Sequence, residues 1–432
     1  MSNLRRDLRA TIERLPLADT HEHLFEEPLR LKGGDDWALQ DFALLFMQYA
    51  ISDLVSAGMP PDDAVKLTKA AVDPAEKWRL VAPWWKRMRL TGYGQCITRT
   101  VRALAGVEDL DDNTWQDVQA ALAARRKPGY TLEVLRDVAH LDHIQVNSLW
   151  DFPFEETQNP DFILEDISFL HLTVNPPIKA LEEKSGIAVG SLDDFERVID
   201  WTFDTYGSRA VAIKSQAAYL RRLDYDVMEK SDAARAFGHY LRDPAHCTAE
   251  ENKVFEDYLF HTCLERARAH RLPVKLHTGY YAGTGTMPLH RVGANPGDVC
   301  PLLQRYPDLT FVLMHTMYPY QDEAIAIAKQ HPNAVIDMCW SWIVAPMASR
   351  RFLLEMLTTA PVTKVLPFGG DFMMVESIVG HAAIARDGIA DVLASLVQQS
   401  LVREGDVVDL ATTLMTGNAR RHFPAVGRLT GR

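Results

Sequence analysis

Apolar and polar positions along this 432-residue chain fall into two patterns, short buried runs and helical faces. Residues 3–14 set apolar against charged side chains at helical spacing and lead into Leu15-Pro16-Leu17-Ala18, a short buried strand. From Trp37 to about Tyr130 the periodicity is helical. It runs through Phe42 to Val55, then Pro61 to Leu67, then a segment from Glu76 to Arg89 that contains Trp78, Trp84 and Trp85. Asp111-Asp112-Asn113-Thr114 caps a further helix with acidic residues in its first turn. This block, residues 37–130, reads as a helical insertion after the first strand. Strand patterns then return at crossover intervals: His143–Asn147, Ile167–Leu172, Ala210–Ser215, Pro273–His277, Leu309–His315, Ala334–Met338 and Val365–Phe368. Helical stretches such as Leu192–Tyr206, Glu256–Arg271 and Asp322–Gln330 lie between them. Strands alternating with helices imply an α/β fold with a parallel sheet. Eight such units suggest closure into a (β/α)8 TIM barrel over residues 1–432, with an open doubly wound sheet as the alternative.

Composition narrows the function classes. The net charge of −12, from 46 Lys and Arg against 58 Asp and Glu, argues against nucleic-acid binding and against a polybasic membrane surface. Cys96, Cys247, Cys263, Cys300 and Cys339 are scattered and odd in number, with no Cys-x-x-Cys pair, so a reduced, cytoplasmic setting is expected. The N-terminus lacks an apolar signal core, and no uncharged run approaches the roughly 18 residues that span a bilayer. Aromatic residues in the helical block suggest a homo-oligomer.

Chemistry-bearing residues collect at the strand ends. Strand one closes on His21-x-His23, whose imidazoles share a face because side chains two apart in a strand point the same way. Strand four ends in Lys214, strand five in His277 and strand six in His315; strand eight runs through Gly369-Gly370 to Asp371. A parallel barrel gathers these ends on one rim. Imidazoles with a carboxylate suit a divalent transition metal that keeps an open coordination position. Beyond strand four, Tyr219 and the Arg221-Arg222 pair are candidates to hold a substrate, an arginine being able to clamp a carboxylate through two parallel hydrogen bonds. Trp340, after strand seven, walls the pocket or packs beneath it. Glu376 and His381 are candidates to orient ligands.

The set resembles the amidohydrolase superfamily: His21-x-His23, His277 in Val-Lys-Leu-His-Thr-Gly, His315 in Val-Leu-Met-His, and Asp371 in Phe-Gly-Gly-Asp. The Asp19-Thr-His-Glu-His23 opening looks most like the amidohydrolase-2 branch, and the helical block looks like uronate isomerase. The resemblance implies His21, His23, His277 and Asp371 as metal ligands, Asp371 also as general base and acid, and His315 as a second-metal ligand or a polariser of the substrate. It implies one ion, Zn²⁺ first with Mn²⁺, Fe²⁺ or Ni²⁺ as alternatives, or two if Lys214 is carboxylated and bridges them. The expected activity is hydrolysis of an amide, ester or lactone in a small, carboxylate-bearing molecule. The alternative is a non-hydrolytic reaction, uronate-type isomerisation or decarboxylation of an aromatic acid.

Overall fold

The computed structural model describes residues 3–285 and 287–431. Among the described residues there are nine strands, separated by helices except from β2 to β4: β1 (Leu17–Glu22), β2 (Leu141–Val146), β3 (Ile163–Glu165), β4 (Ile167–Ser168), β5 (Ile213–Ser215), β6 (Val274–His277), β7 (Phe311–Met314), β8 (Ala334–Asp337) and β9 (Val365–Leu366). Every residue in them is buried, as expected of parallel strands covered on both faces. β3 and β4 are one strand position interrupted at Asp166. Its carboxylate receives the Lys275 ammonium at 2.8 and 3.0 Å, both side chains being fully buried. The expected third strand, 167–172, is therefore mostly wrong. Leu170–Thr173 is a helical turn and the preceding Ile163–Glu165 carries the sheet, since a short apolar run does not distinguish helix from strand.

The chain divides into two compact units. The first comprises residues 1–144, 280–288 and 337–419. In it β1 runs beside the segment after β9: the amides of Thr20, Asp371 and His23 bond the carbonyls of Phe368, His21 and Phe372 at 3.1, 2.8 and 2.9 Å. That segment is flanked in turn by residues 338–340, with Met338 N–H on Leu366 O and Trp340 N–H on Gly369 O, both 2.8 Å. The two glycines before Asp371 permit this closeness. A Cβ on Gly369 would lie 2.9 Å from the Cys339 Cβ, and one on Gly370 would lie 1.8 Å from Glu22 Oε1. Between β1 and β2 the described residues form helices only, including Pro74–Met88, Gly92–Ala105 and Trp115–Arg125. Trp78 and Trp85 pack against Phe42 and Phe46 and spend their indole N–H groups on Asp112 (2.8 Å) and the Leu110 carbonyl (2.7 Å). The helices Asn3–Arg14 and Gly92–Ala105 pack along the long helix Val375–Gln398.

The second unit comprises residues 145–279, 289–336 and 420–432. Its strands pair in parallel, with Ile167, Ile213, Val274 and Phe311 in one row and Lys214 level with Lys275 in the next. Among the described residues no helix is long and apolar enough to cross a membrane.

Candidate metal centre

His21 and His23 project from the end of β1, as period-two alternation requires. Their Nε2 atoms are 3.2 Å apart, and Asp371 Oδ1 lies 3.2 Å from the first and 3.3 Å from the second. All three side chains are buried. Donor atoms about 2.1 Å from one ion at bond angles of 90–109° are about 3.0–3.4 Å apart, so the observed triangle fits a divalent metal held by two imidazoles and a carboxylate.

The surroundings fix Asp371 in place. Tyr49, from the helical block, reaches Oδ2 at 2.8 Å and the Asp371 carbonyl at 2.5 Å. The Tyr49 ring stacks on Trp340 with centroids 4.5 Å apart. Gln48 donates to the same Asp371 carbonyl at 2.9 Å. His381 Nδ1 sits 3.1 Å from the Gly370 carbonyl; burial pushes this imidazole down to about 3, so it is neutral and donates. Beneath the triangle, burial and the neighbouring Asp19 carboxylate raise Glu22 well above the usual carboxylate range. Burial, then the Asp371 carboxylate, likewise keeps the Cys339 thiol protonated. Asp371 itself has φ +64° and Trp340 φ +62°, left-handed conformations that cost bulky residues about 1–3 kcal/mol each and gather at functional sites. The sequence does not single out Tyr49. One tyrosine in an apolar helical run carries no signal of a partner more than 300 positions away.

In the second unit, His277 ends β6 and its ring lies 4.1 Å from that of His315 and 4.7 Å from that of Tyr219. His315, with φ +66°, opens a left-handed turn that continues through Thr316 and Met317. Gly279 is required beside it, since a Cβ there would be 2.5 Å from the His315 carbonyl oxygen. Lys214 does not end its strand: Ser215 does, and the register puts Lys214 level with Lys275, one side-chain row below His277.

The expected substrate contacts Arg221 and Trp340 are both engaged by protein neighbours. Arg221 is not available to clamp a ligand. One end of its guanidinium bonds Glu256 Oε2 at 2.9 Å, the other bonds Asp257, and its plane lies over the Tyr225 ring at 4.5 Å. The neighbouring Arg222 is likewise engaged, by Asp298 through two hydrogen bonds. Trp340 is fully buried between Tyr49 and Tyr280, so it packs behind Asp371. Glu376 binds Arg30 at 3.1 Å, a buried ion pair. Replacing Arg221 by methionine leaves Glu256 and Asp257 buried beside one fewer cation. It is expected to cost about 3 kcal/mol of stability in urea unfolding while leaving metal content unchanged.

Residues 215–424 match the family model described as Amidohydrolase. The match spans just under half of the chain. The chain is 26% identical over 226 residues to protein fluG of Emericella nidulans, an alignment covering 49% of this chain and a quarter of that protein. Among solved structures, glucuronate isomerase from Caulobacter crescentus superposes with a TM-score of 0.78 at 16% identity, over 98% of this chain and 94% of its own. Uronate isomerase from Thermotoga maritima gives 0.77 at 13% identity, over 98% of each chain. At such identities the likeness is one of fold, a (β/α)8 barrel.

Proposed function

We propose that this protein is a metal-dependent hydrolase of the amidohydrolase superfamily that cleaves an amide, ester or lactone bond in a small molecule. The observation that carries the reading is the buried triangle of His21, His23 and Asp371, with 3.2–3.3 Å edges. These residues would hold one divalent ion, Zn²⁺ being the first choice for two imidazoles and a carboxylate. By the family resemblance, His277 is a further ligand and His315 a polariser of the substrate, while the deeper row of Lys214 counts against a bridging carboxylated lysine.

A divalent ion bound there supplies Lewis acidity and an acidified water. The rest falls to the chain's own groups. Asp371 turns Oδ1 to the two histidines and Oδ2 to the Tyr49 hydroxyl. Held on both oxygens, it accepts the proton of the attacking water and returns it to the leaving group. Tyr49 keeps the carboxylate from rotating away.

A second reading, aldose–ketose isomerisation of a uronate, is favoured by the two uronate-processing enzymes that superpose over 98% of the chain. Placement in a reducing, cytoplasmic setting is supported by the five free cysteines. The test is metal analysis of the purified protein, followed by a panel of carboxylate-bearing amides, lactones, uronates and aromatic acids before and after chelation. We expect one metal per chain, lactone or amide hydrolysis abolished by chelation, and loss of metal in His21→Ala. Turnover that survives complete metal removal would sink the reading, and turnover of uronates alone would replace it by the second.

A further inference from the structure

Asp371 stands in a left-handed conformation, and the strand before it ends at Leu366, so its position depends on how the peptides around it are held. Every backbone group from the Gly370 N–H to the Met373 N–H has a partner. Gly370 N–H bonds Asp19 Oδ1 (3.1 Å) and its carbonyl faces His381 Nδ1 (3.1 Å). Asp371 N–H bonds the His21 carbonyl, and the Phe372 carbonyl accepts from His23 N–H. Phe372 N–H bonds Glu22 Oε2 at 2.6 Å. The two remaining groups, the Asp371 carbonyl and the Met373 N–H, lie either side of Phe372, and one side chain binds both. Gln48 donates Nε2–H to the Asp371 carbonyl at 2.9 Å and accepts the Met373 N–H on Oε1 at 2.8 Å. A carboxamide is suited to this because it offers a donor and an acceptor in one rigid plane. Gln48 is itself in a left-handed conformation, φ +69°, unusual for a residue with a long side chain.

We propose that Gln48 is a positioning residue of the metal centre, the point where the helical block sets the aim of the Asp371 carboxylate. Without the clamp, the Asp371 carbonyl loses one of its two donors and the Met373 amide loses its acceptor. The turn can then relax out of its strained conformation and carry Oδ1 away from the two histidines. The inference rests on the metal reading above.

The test compares Gln48→Leu and Gln48→Gly with wild type, all as the full chain. Zn²⁺ affinity is measured by competition with a chelating indicator, and the melting temperature of each metal-free protein is measured alongside. Glycine removes the clamp but also the strain at residue 48, so its metal-free form is expected to melt near wild type. Both variants are expected to bind Zn²⁺ about 10–100-fold more weakly, the usual effect of losing a group that orients a ligand. Wild-type affinity in both variants would overturn the proposal, as would a loss confined to Gln48→Leu that tracks a fall in its metal-free melting temperature. Wild-type protein that takes up no Zn²⁺ would instead remove the metal reading, and this inference with it.

Discussion

Asp371→Asn is expected to keep its metal and to lose about 10²–10⁴-fold in kcat, the range that a positioned general base contributes. Asparagine suits the position for two reasons. It tolerates the left-handed backbone that residue 371 adopts, which most side chains do not. Its amide oxygen can also take the place of Oδ1 opposite His21 and His23, while the amide nitrogen donates to the Tyr49 hydroxyl that now faces Oδ2. What the substitution removes is the basic site, with little else disturbed. Metal content measured beside kcat, on a substrate found in the panel, separates the two roles. Full turnover would refute Asp371 as the base, and loss of metal with turnover would leave only a ligand role.

Gly370→Ala should damage the site most among substitutions that touch no ligand. The added Cβ would lie 1.8 Å from Glu22 Oε1, a distance that no rotamer adjustment absorbs while Glu22 is held by the Phe372 amide at 2.6 Å. Either Glu22 swings away, leaving that amide without its acceptor, or the segment carrying Asp371 shifts off β1. Overpacking and the orphaned buried amide together amount to at least about 3 kcal/mol. Urea unfolding and metal analysis read the two consequences. Gly405→Ala is the matched control: a Cβ added there would have nothing within 4 Å, and the substitution should be nearly silent. Equal stability of the two variants would show that the close approach of β1 to residue 370 is wrong.

Much of the fold can be read from pattern alone. The helices at 3–14 and 192–206 fall where periodicity puts them, and the block after β1 is helical as its spacing implies. Pattern finds most of the strands but draws several of them too long. Val365–Phe368 shrinks to Val365–Leu366 and Leu309–His315 to Phe311–Met314, because apolar runs continue past the last ladder hydrogen bond into the turns that carry function. Arg221 shows the converse failure. Its neighbours in sequence suggest a solvent-facing clamp, but Glu256 and Asp257, brought beside it by packing, consume its donors.

By itself the sequence offered candidate metal ligands at or shortly after strand patterns, because alternation with period two and the alternation of strands with helices are local properties of the chain. Only the tertiary structure decided that Asp371 turns one oxygen to two histidines and the other to Tyr49, that Gln48 clamps the peptides around it, and that Gly369 and Gly370 are there for clearance. Each of those depends on atoms brought within 4 Å of one another by residues distant in sequence, most of them more than 300 positions apart, and no local pattern records such a distance.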